Sequence, residues 1–398
     1  MSLDYWVFDP STCQFTKPRV SILPSVFDYS ALPHGSRALS DIGLRHFSRG
    51  RYALGEAYRL AGLDKQSALL APAYHCVTML DPALALGAQV QLYSLKPNLM
   101  PDSDSLEQMY SQSSLPVKAL LATHFFGFVQ DFSWLKQWCD ERGIALIEDC
   151  SHVLFFEQYQ ARGAGLYGKF IASSPYKFFP CTDGGLLYAP DAHCLDGVQT
   201  ESAGFLAELR GIKSAIEKSR LPKISTNGID LIDQQLESIT TAVPVPGSDQ
   251  RMGRSAQSTQ YLLASAKVAS LRSSRWVTSH SSVKNNVTRR QENYRRWVQA
   301  LSHIPNCRAL YPEIPPDVIP YMFPLYLDIP MPHFYWLKQM GVPVWRWDEM
   351  AVSNCPVAAD YRLHLLHLPC HQSLSNEEME WMLAAVRKTL AIPTPGVQ

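Results

Sequence analysis

Residues 145–185 read ALIEDCSHVLFFEQYQARGAGLYGKFIASSPYKFFPCTDGG and form the most informative stretch of the chain. Its first residues predict a short buried strand that ends in two carboxylates, Glu148 and Asp149. Ligands of open α/β sheets bind at the carboxyl ends of the strands, so we expect a ligand site here. Lys177 follows 28 residues after Asp149, among aromatic residues and prolines, and precedes the turn Gly184-Gly185. A lysine in such surroundings is poorly placed for a solvated surface and suits Schiff-base chemistry.

The segment before this stretch alternates between strand and helix patterns. Apolar runs closed by Pro or Gly predict strands, and apolar residues at helical spacing predict helices. We predict strands at 68–71, 89–95, 117–123, 144–147, 170–173 and 186–188, and helices at 51–60, 76–86, 104–110 and 132–142. Strand-helix-strand units of this length need crossover connections, so the pattern predicts an α/β fold with a mainly parallel sheet flanked by helices.

The pattern changes near residue 191. Residues 191–260 are polar and partly helical, and they end in the turn-rich segment PVPGSDQRMGRS, which predicts an exposed loop. We predict further helices at 260–271, 289–301 and 377–390, the last with Ser375 as N-cap. The basic helix at 289–301 is interpreted as a solvated face or a dimer contact. The predicted organisation is therefore an arm of irregular structure or short strands (1–35), a large domain (36–271, with 191–260 atypical) and a small C-terminal domain (272–398).

Composition excludes several classes of protein. The chain has 36 basic and 36 acidic residues, and 46% of its residues are hydrophobic, which argues for a globular protein and against nucleic acid or an anionic membrane as the main partner. The nine cysteines are scattered and include no Cys-x-x-Cys pair, which argues against a disulfide framework. His364, His367 and His371 lack the spacing of a zinc helix, so we predict no metal. The sequence has no signal-peptide pattern and no apolar run of about 18 residues, and we therefore predict a cytoplasmic protein.

A series of short motifs carries a resemblance to a known family. In chain order they are Gly50-x-x-Ala53-Leu54, the strand into Pro72, Gly87-Ala88, the loop THFFG at 123–127, the segment EDCSH at 148–152, Lys177, Gly184-Gly185, Asn293-Tyr294 and LPCH at 368–371. In their order, and in the separation of Asp149 from Lys177, they resemble the DegT/DnrJ/EryC1/StrS aminotransferases. These are fold-type-I enzymes that depend on pyridoxal 5'-phosphate (PLP) and often act on nucleotide sugars. The resemblance covers most of the chain from about Phe47 and implies a PLP-binding large domain followed by a small C-terminal α/β domain.

The resemblance assigns roles to individual residues. It implies that Lys177 attaches covalently to PLP and carries a proton between the substrate and the cofactor. Asp149 is expected to keep the pyridine nitrogen protonated, because an adjacent carboxylate favours the cation and thereby makes the ring an electron sink. His152 is expected against the phenolic oxygen or the ring face. The amides of Gly50 and Arg51, at a helix start, are expected to bind the phosphate.

Two positions of the phosphate site depart from the family pattern. The Ser or Thr that usually follows the glycine is Arg51, whose guanidinium is able to pair with phosphate. The serine that usually lies five residues before the lysine is Ala172, and we expect Ser174 to replace it. In addition, the family's Gly-x-Asn-x-Arg segment, which commonly reaches the neighbouring subunit's active site, is not found in residues 191–260.

The ring face and the substrate side leave alternatives open. Cys76 stands where the family has the aromatic residue that stacks on the cofactor ring, and Tyr74 or His75, which precede it, is expected to cover the ring instead. All three are candidate cofactor-binding residues. His124 is a candidate substrate contact or a structural histidine. Arg346, between two tryptophans, is a candidate clamp for a substrate carboxylate or a structural stack.

The function implied by the resemblance is transamination. We predict a PLP-dependent transaminase that takes an amino group from glutamate or glutamine and transfers it to a keto acceptor, a nucleotide-linked keto sugar. Fold-type-I enzymes are generally dimers with shared active sites, so we expect a homodimer. Two alternatives stay open: a PLP-dependent elimination, replacement or epimerisation on an amino-acid-like substrate, and a non-catalytic regulatory relative.

Overall fold

A computed structural model of the chain describes residues 3–8, 15–30, 39, 43–220, 228–241, 249–254 and 260–393. The strands are β1 Leu3–Phe8, β2 Leu44–Phe47, β3 Ala68–Pro72, β4 Gln89–Tyr93, β5 Val117–Thr123, β6 Ala145–Asp149, β7 Phe155–Phe156, β8 Tyr159–Gln160, β9 Phe170–Ser173, β10 Gly185–Tyr188, β11 Asp249–Arg254, β12 Cys307–Ala309, β13 Met322–Leu327, β14 Met350–Ala351 and β15 Leu365–Pro369. The helices are α1 Gly50–Leu60, α2 Val77–Ala85, α3 Ser103–Ser111, α4 Ser133–Arg142, α5 Phe205–Ser219, α6 Ile232–Thr240, α7 Arg272–His280, α8 Val283–Leu301, α9 His333–Met340, α10 Pro356–His364 and α11 Asn376–Leu390.

The largest sheet has seven strands in the order β2-β10-β9-β6-β5-β3-β4. Strands β3, β4, β5, β6 and β9 are parallel, whereas β10 pairs antiparallel with both β9 and β2 at one edge. Successive residues of a strand enter opposite cores: Leu120 packs in the core with α3 and α4, and Leu121 packs in the core with α1 and α2. Because helices cover both faces, the central strands are continuous apolar runs, and this is why their positions could be predicted from the sequence.

The start of α1 lies unusually close to β10. A Cβ atom at Gly185 would lie 2.2 Å from the carbonyl oxygen of Arg49 and 2.6 Å from the amide nitrogen of Gly50. Gly184 has a φ of +145°, and its amide donates to the Ser48 carbonyl at 3.0 Å. The Gly184-Gly185 pair therefore allows the helix start to approach the sheet.

The C-terminal part of the chain has its own sheet and core. Strands β12, β13 and β15 form an antiparallel sheet, and α8, α9 and α11 pack against it. Trp297 and Trp381 are fully buried in this core with Phe323. Helix α11 begins after Ser375, whose hydroxyl accepts from the Glu378 amide while the Glu378 carboxylate accepts from the Ser375 amide, so the predicted N-cap is present.

Three segments differ from the sequence-based predictions. The helix predicted at 260–271 is wrong: this segment has one short 3-10 turn at Leu263–Ser265, and α7 begins at Arg272. Part of the loop predicted at the end of 191–260 is strand β11, which pairs with β1, and β1 also pairs with β14. Helix α8 begins at Val283 rather than at residue 289, because Ser282 caps it. Among the described helices, none has both the length and the apolar character needed to cross a bilayer.

Candidate active site

The carboxyl ends of β5, β6 and β9 and the start of α1 surround a cavity of about 370 Å³. From the large sheet it is lined by Thr123, Asp149 and, just beyond β9, Ser174 and Lys177. From the C-terminal part of the chain it is lined by Tyr321, Trp345, Arg346 and Trp347. The cavity therefore lies where the two parts of the molecule meet and at the sheet edge where the sequence places the ligand.

Asp149 ends β6 and is 2% exposed. Its Oδ1 atom accepts a hydrogen bond from the Ser151 amide at 2.8 Å, and its carbonyl accepts from the His124 amide at 3.2 Å. These contacts fix the carboxylate at the cavity wall. A buried carboxylate in this position is able to bind a cationic ring nitrogen.

Lys177 ends the 3-10 turn Pro175–Lys177 that follows β9, and its side chain is half-buried. The Nζ atom lies 5.3 Å from the centroid of the Tyr321 ring, within the range of a cation–π contact. The Lys177 carbonyl accepts a hydrogen bond from the Arg290 guanidinium at 3.2 Å. Arg290 thus holds the backbone of Lys177, while the lysine side chain lines the cavity.

His152 is buried and stacks on Tyr321, with ring centroids 4.5 Å apart, and Trp347 lies 5.7 Å away. Its Nδ1 atom accepts from the Phe126 amide at 3.5 Å. Burial holds the pKa of His152 well below its usual value, and the positive charge of Lys177 lowers this pKa further. The imidazole is therefore neutral at physiological pH.

Gly50, Ser151 and Ser174 form a small cradle at the start of α1. The Ser174 hydroxyl donates to the Ser151 hydroxyl at 3.1 Å. A Cβ atom at Gly50 would lie 2.1 Å from the Ser174 Oγ atom and 3.4 Å from the Ser151 Oγ atom. Two hydroxyls and the first amides of a helix are a suitable site for a phosphate group. Ser151 was not predicted from the sequence, although its position two residues after Asp149 is a usable signal.

The Arg51 guanidinium does not contribute to this cradle. It donates to the backbone and side-chain oxygens of Gln260, the latter at 2.9 Å. The Arg51 guanidinium is thus engaged by Gln260 in this structure, and the phosphate contact suggested for it stays a prediction. The backbone of Arg51 remains in the first turn of α1.

Of Cys76 and the two candidates for covering the ring, Tyr74 and His75, only Cys76 lines the cavity. The Tyr74 hydroxyl is engaged with a ring nitrogen of His367 at 3.0 Å. The buried His75 ring contacts the Pro72 and Ala73 carbonyls and accepts from the Ala351 amide, and burial lowers its pKa to about 4. Tyr321 and Trp347, which sequence reasoning missed, are the aromatic residues that the fold brings to the cavity wall.

The two candidate substrate residues are engaged in other contacts. Both ring nitrogens of His124 are hydrogen-bonded, one donating to Glu148 at 2.8 Å and one accepting from the Gln130 amide at 3.0 Å, and its side chain is fully buried outside the cavity wall. The Arg346 guanidinium lines the cavity but donates to Asp348 at 3.3 Å and to the Leu363 carbonyl at 3.0 Å. These contacts fit the structural interpretation of both residues.

His124, Glu148 and Cys150 bring three potential metal ligands within 4.8 Å of one another. Glu148, however, accepts from His124 and from the amides of Gly165, Tyr167 and Gly168. Burial alone would raise the pKa of Glu148, but the hydrogen bonds outweigh it and lower the pKa. Both carboxylate oxygens already have hydrogen-bond donors, so Glu148 connects β6 by hydrogen bonds to His124 and to the backbone of Gly165, Tyr167 and Gly168.

Residues 46–225 match the sequence profile of the DegT/DnrJ/EryC1/StrS aminotransferase family. The GDP-perosamine synthase of Vibrio cholerae is 26% identical over 136 residues, which are 33% of this chain and 34% of that protein. The chain therefore matches about a third of that relative's length.

Two solved structures are similar over nearly the whole chain. The aminotransferase TlmJ of Streptoalloteichus hindustanus is 18% identical with a TM-score of 0.59, covering 89% of this chain and 87% of its own. A DegT DnrJ EryC1 StrS aminotransferase of Brucella abortus is 15% identical with a TM-score of 0.58, covering 88% and 86%. At these identities the similarity establishes the fold, and it confirms the predicted fold type I.

Proposed function

We propose that the protein is a PLP-dependent aminotransferase, because residues 46–225 match the sequence profile of the DegT/DnrJ/EryC1/StrS aminotransferase family. The proposed reaction moves an amino group from glutamate or glutamine to a keto acceptor, a nucleotide-linked keto sugar. The observation that carries the proposal is the meeting of Asp149, Lys177 and the Gly50 cradle in one cavity.

The residues present fit PLP. The Ser174 hydroxyl packs so closely on Gly50 that a side chain there would overlap it, and the two serine hydroxyls lie together at the start of α1. Gly50, Ser151 and Ser174 are therefore proposed to hold the phosphate, and Asp149 the ring nitrogen. When bound, PLP supplies an electron sink that allows the Cα proton of an amino acid to leave.

The protein's own residues supply the remaining chemistry. The Asp149 carboxylate, buried and anchored by the Ser151 amide, is proposed to keep a proton on the ring nitrogen. The Lys177 Nζ atom is proposed to hold the cofactor covalently and then, once free, to accept and return the substrate proton. Neutral His152, stacked on Tyr321, is proposed to limit the space for water and to orient the ring.

A second cavity supports an anionic acceptor. It has a volume of about 1010 Å³ and adjoins the first cavity, with which it shares wall residues that include Arg49, Arg51 and Tyr176. Among the described residues that line it, the acidic one is Glu378, which caps α11. The basic ones are Lys17, Arg19, Arg49, Arg51 and Lys218. This excess of positive charge favours a phosphate-bearing acceptor, and the GDP-perosamine synthase similarity supports a nucleotide-linked sugar.

We also propose a homodimer. Helix α5 exposes Phe205, Leu209, Ile212 and Ile216 at spacings of four, three and four residues, and Phe205 is 75% exposed. Large apolar side chains on one helix face mark an interaction surface. A second copy is the proposed occupant because fold-type-I enzymes generally share active sites between subunits. The measurement is mass by light scattering, and Leu209→Glu is expected to yield the monomer. The cytoplasmic location stays a prediction.

The test of the activity is a half-reaction. Purified protein is loaded with PLP, incubated with glutamate and assayed for 2-oxoglutarate and for loss of the yellow absorbance. We expect one equivalent of 2-oxoglutarate per site, and none from Lys177→Ala. Persistent yellow absorbance without 2-oxoglutarate would favour elimination, replacement or epimerisation chemistry. The absence of any yellow absorbance would favour a non-catalytic relative.

A further inference from the structure

Thr123 is a buried residue whose hydroxyl has no hydrogen-bond partner in the described structure. It ends β5, is 4% exposed and lines the same cavity as Asp149 and Lys177. Buried hydroxyls are nearly always hydrogen-bonded, because an unpaired one loses its interaction with water and gains nothing in return. An unpaired hydroxyl on a cavity wall therefore points to an atom of a ligand.

The position of Thr123 in the sheet indicates which ligand. Thr123 and Asp149 are register partners on the parallel strands β5 and β6, so both side chains project from the same face of the sheet. The carboxylate of Asp149 is turned to the Ser151 amide, at 2.8 Å, and is not hydrogen-bonded to Thr123. The hydroxyl thus lies beside the group that is proposed to hold the cofactor ring.

We propose that Thr123 is a further cofactor-binding residue, whose hydroxyl donates to an oxygen substituent of the pyridine ring. The inference rests on the proposed function, because it assumes that PLP occupies this cavity. The phosphate has its own hydroxyls at Ser151 and Ser174, so the ring is the part of the cofactor left for Thr123. The hydroxyl gains its hydrogen bond only in the loaded protein, and the unloaded protein bears the cost of an unpaired polar group.

This arrangement gives two effects of opposite sign in Thr123→Val, which removes the hydroxyl and keeps the shape. We expect cofactor affinity to fall about tenfold, the effect of one lost hydrogen bond. We expect the melting temperature of the unloaded protein to rise by about 2 °C, because no polar group is left unpaired. Thr123→Ser keeps the hydroxyl and is expected to restore affinity to within about threefold of the wild-type value.

A matched control is Thr389→Val in α11. Thr389 is also fully buried, but its hydroxyl donates to the Ala385 carbonyl at 2.7 Å, and it does not line the cavity. This variant is expected to lower the melting temperature of the unloaded protein and to leave cofactor affinity unchanged.

The experiment measures PLP and pyridoxal affinity by absorbance titration, and melting of the unloaded protein by calorimetry. Equal losses of affinity for both compounds in Thr123→Val support a ring contact, since pyridoxal has no phosphate. Wild-type affinity in Thr123→Val, a loss confined to PLP, or a lowered melting temperature would each overturn the inference. If the wild-type protein binds neither compound, the proposed function itself fails, and this outcome is distinct from the others.

Discussion

Arg290 is a buried cation whose removal gives the sharpest test of how the site is held together. It lies on α8, is fully buried, and has no carboxylate among its hydrogen-bond partners in the described structure. Its guanidinium donates to the carbonyls of Lys177 (3.2 Å), Pro320 (3.0 Å) and Tyr321 (3.2 Å). Burial lowers the pKa of Arg290 to about 10, so the side chain is still charged at neutral pH. The contacts join the turn that follows β9 of the large sheet to the segment that precedes β13 of the small C-terminal sheet.

The expected loss of stability follows from these contacts. Arg290→Met leaves three backbone carbonyls without this donor, and each unpaired buried acceptor costs about 1–3 kcal/mol. The lower value of this range applies to each carbonyl, because the substitution also removes the free-energy cost of burying a charge. We therefore expect a loss of about 3–4 kcal/mol. Arg290→Lys keeps the charge but lacks the planar fork, and we expect a loss of about 2 kcal/mol.

The assay is urea unfolding of the unloaded protein, followed by fluorescence, with the transition midpoint as readout. Arg289→Met is the control at the neighbouring position: Arg289 is 31% exposed and donates to the Leu374 carbonyl at 3.2 Å. We expect the control to lose less than about 1 kcal/mol. If Arg290→Met unfolds within about 1 kcal/mol of the wild type, or if the control loses as much, Arg290 does not tie the two sheets together.

Three further substitutions test other parts of the structure. Gly50→Ala places a methyl group 2.1 Å from the rotatable Ser174 hydroxyl. PLP affinity should therefore fall at least about tenfold in an absorbance titration. The stability of the unloaded protein should change by less than about 1 kcal/mol. Gly127 has a φ of +101°, and a Cβ there would lie 2.2 Å from the Ile319 carbonyl oxygen, so Gly127→Ala should lose about 3 kcal/mol in urea unfolding. Burial lowers the pKa of His371 to about 3, below the value of about 6.5 in the unfolded chain. The stability contributed by the neutral His371 side chain is therefore present above pH 6.5 and is lost as the pH falls towards 3. His371→Gln should therefore remove about 1.3 kcal/mol of the stability lost between pH 7.5 and 5.5, and an unchanged loss would contradict this assignment.

The sequence predicted the sheet well where the physical signal is local. Strands β3 and β9, and β5 from Ala119 onward, are buried on both faces, so their apolar runs are continuous and their ends are marked by Pro or by polar residues. Strand β11 was interpreted as a loop because its pairing with β1 joins residues far apart in sequence. A backbone pairing of this kind leaves no periodic pattern in the side chains.

The same distinction applies to the site. The structure brings Gly50, Asp149, Ser174 and Lys177 to one cavity. They lie on strands of the large sheet or on segments directly joined to them, and the order of these elements along the chain could be predicted. Tyr321 joins the cavity from a distant segment that no local pattern marks.

Arg290 shows why charge patterns mislead about burial. In the sequence it belongs to a run of basic residues on an amphipathic helix, which is typical of a solvated face. In the structure it is fully buried because backbone carbonyls and the amides of Asn286 and Gln372 satisfy its donors. Satisfaction of a guanidinium by neutral oxygens depends on tertiary structure, so the sequence could not reveal it.

We expect these contacts to couple cofactor binding to folding. The cavity is walled by Asp149 and Lys177 on one side and by Tyr321 and Trp347 on the other, and Arg290 bonds to the backbone of both sides. A ligand that contacts both walls of the cavity would hold them together, as the hydrogen bonds of Arg290 do. A ligand at about 100 times its dissociation constant adds about 2.7 kcal/mol to stability, which is similar to the loss expected from Arg290→Met. Saturating PLP should therefore restore most of the stability of this variant, unless the substitution also displaces Lys177 and weakens binding. The part of the lost stability that saturating PLP does not restore measures how far Lys177 depends on Arg290 for its position.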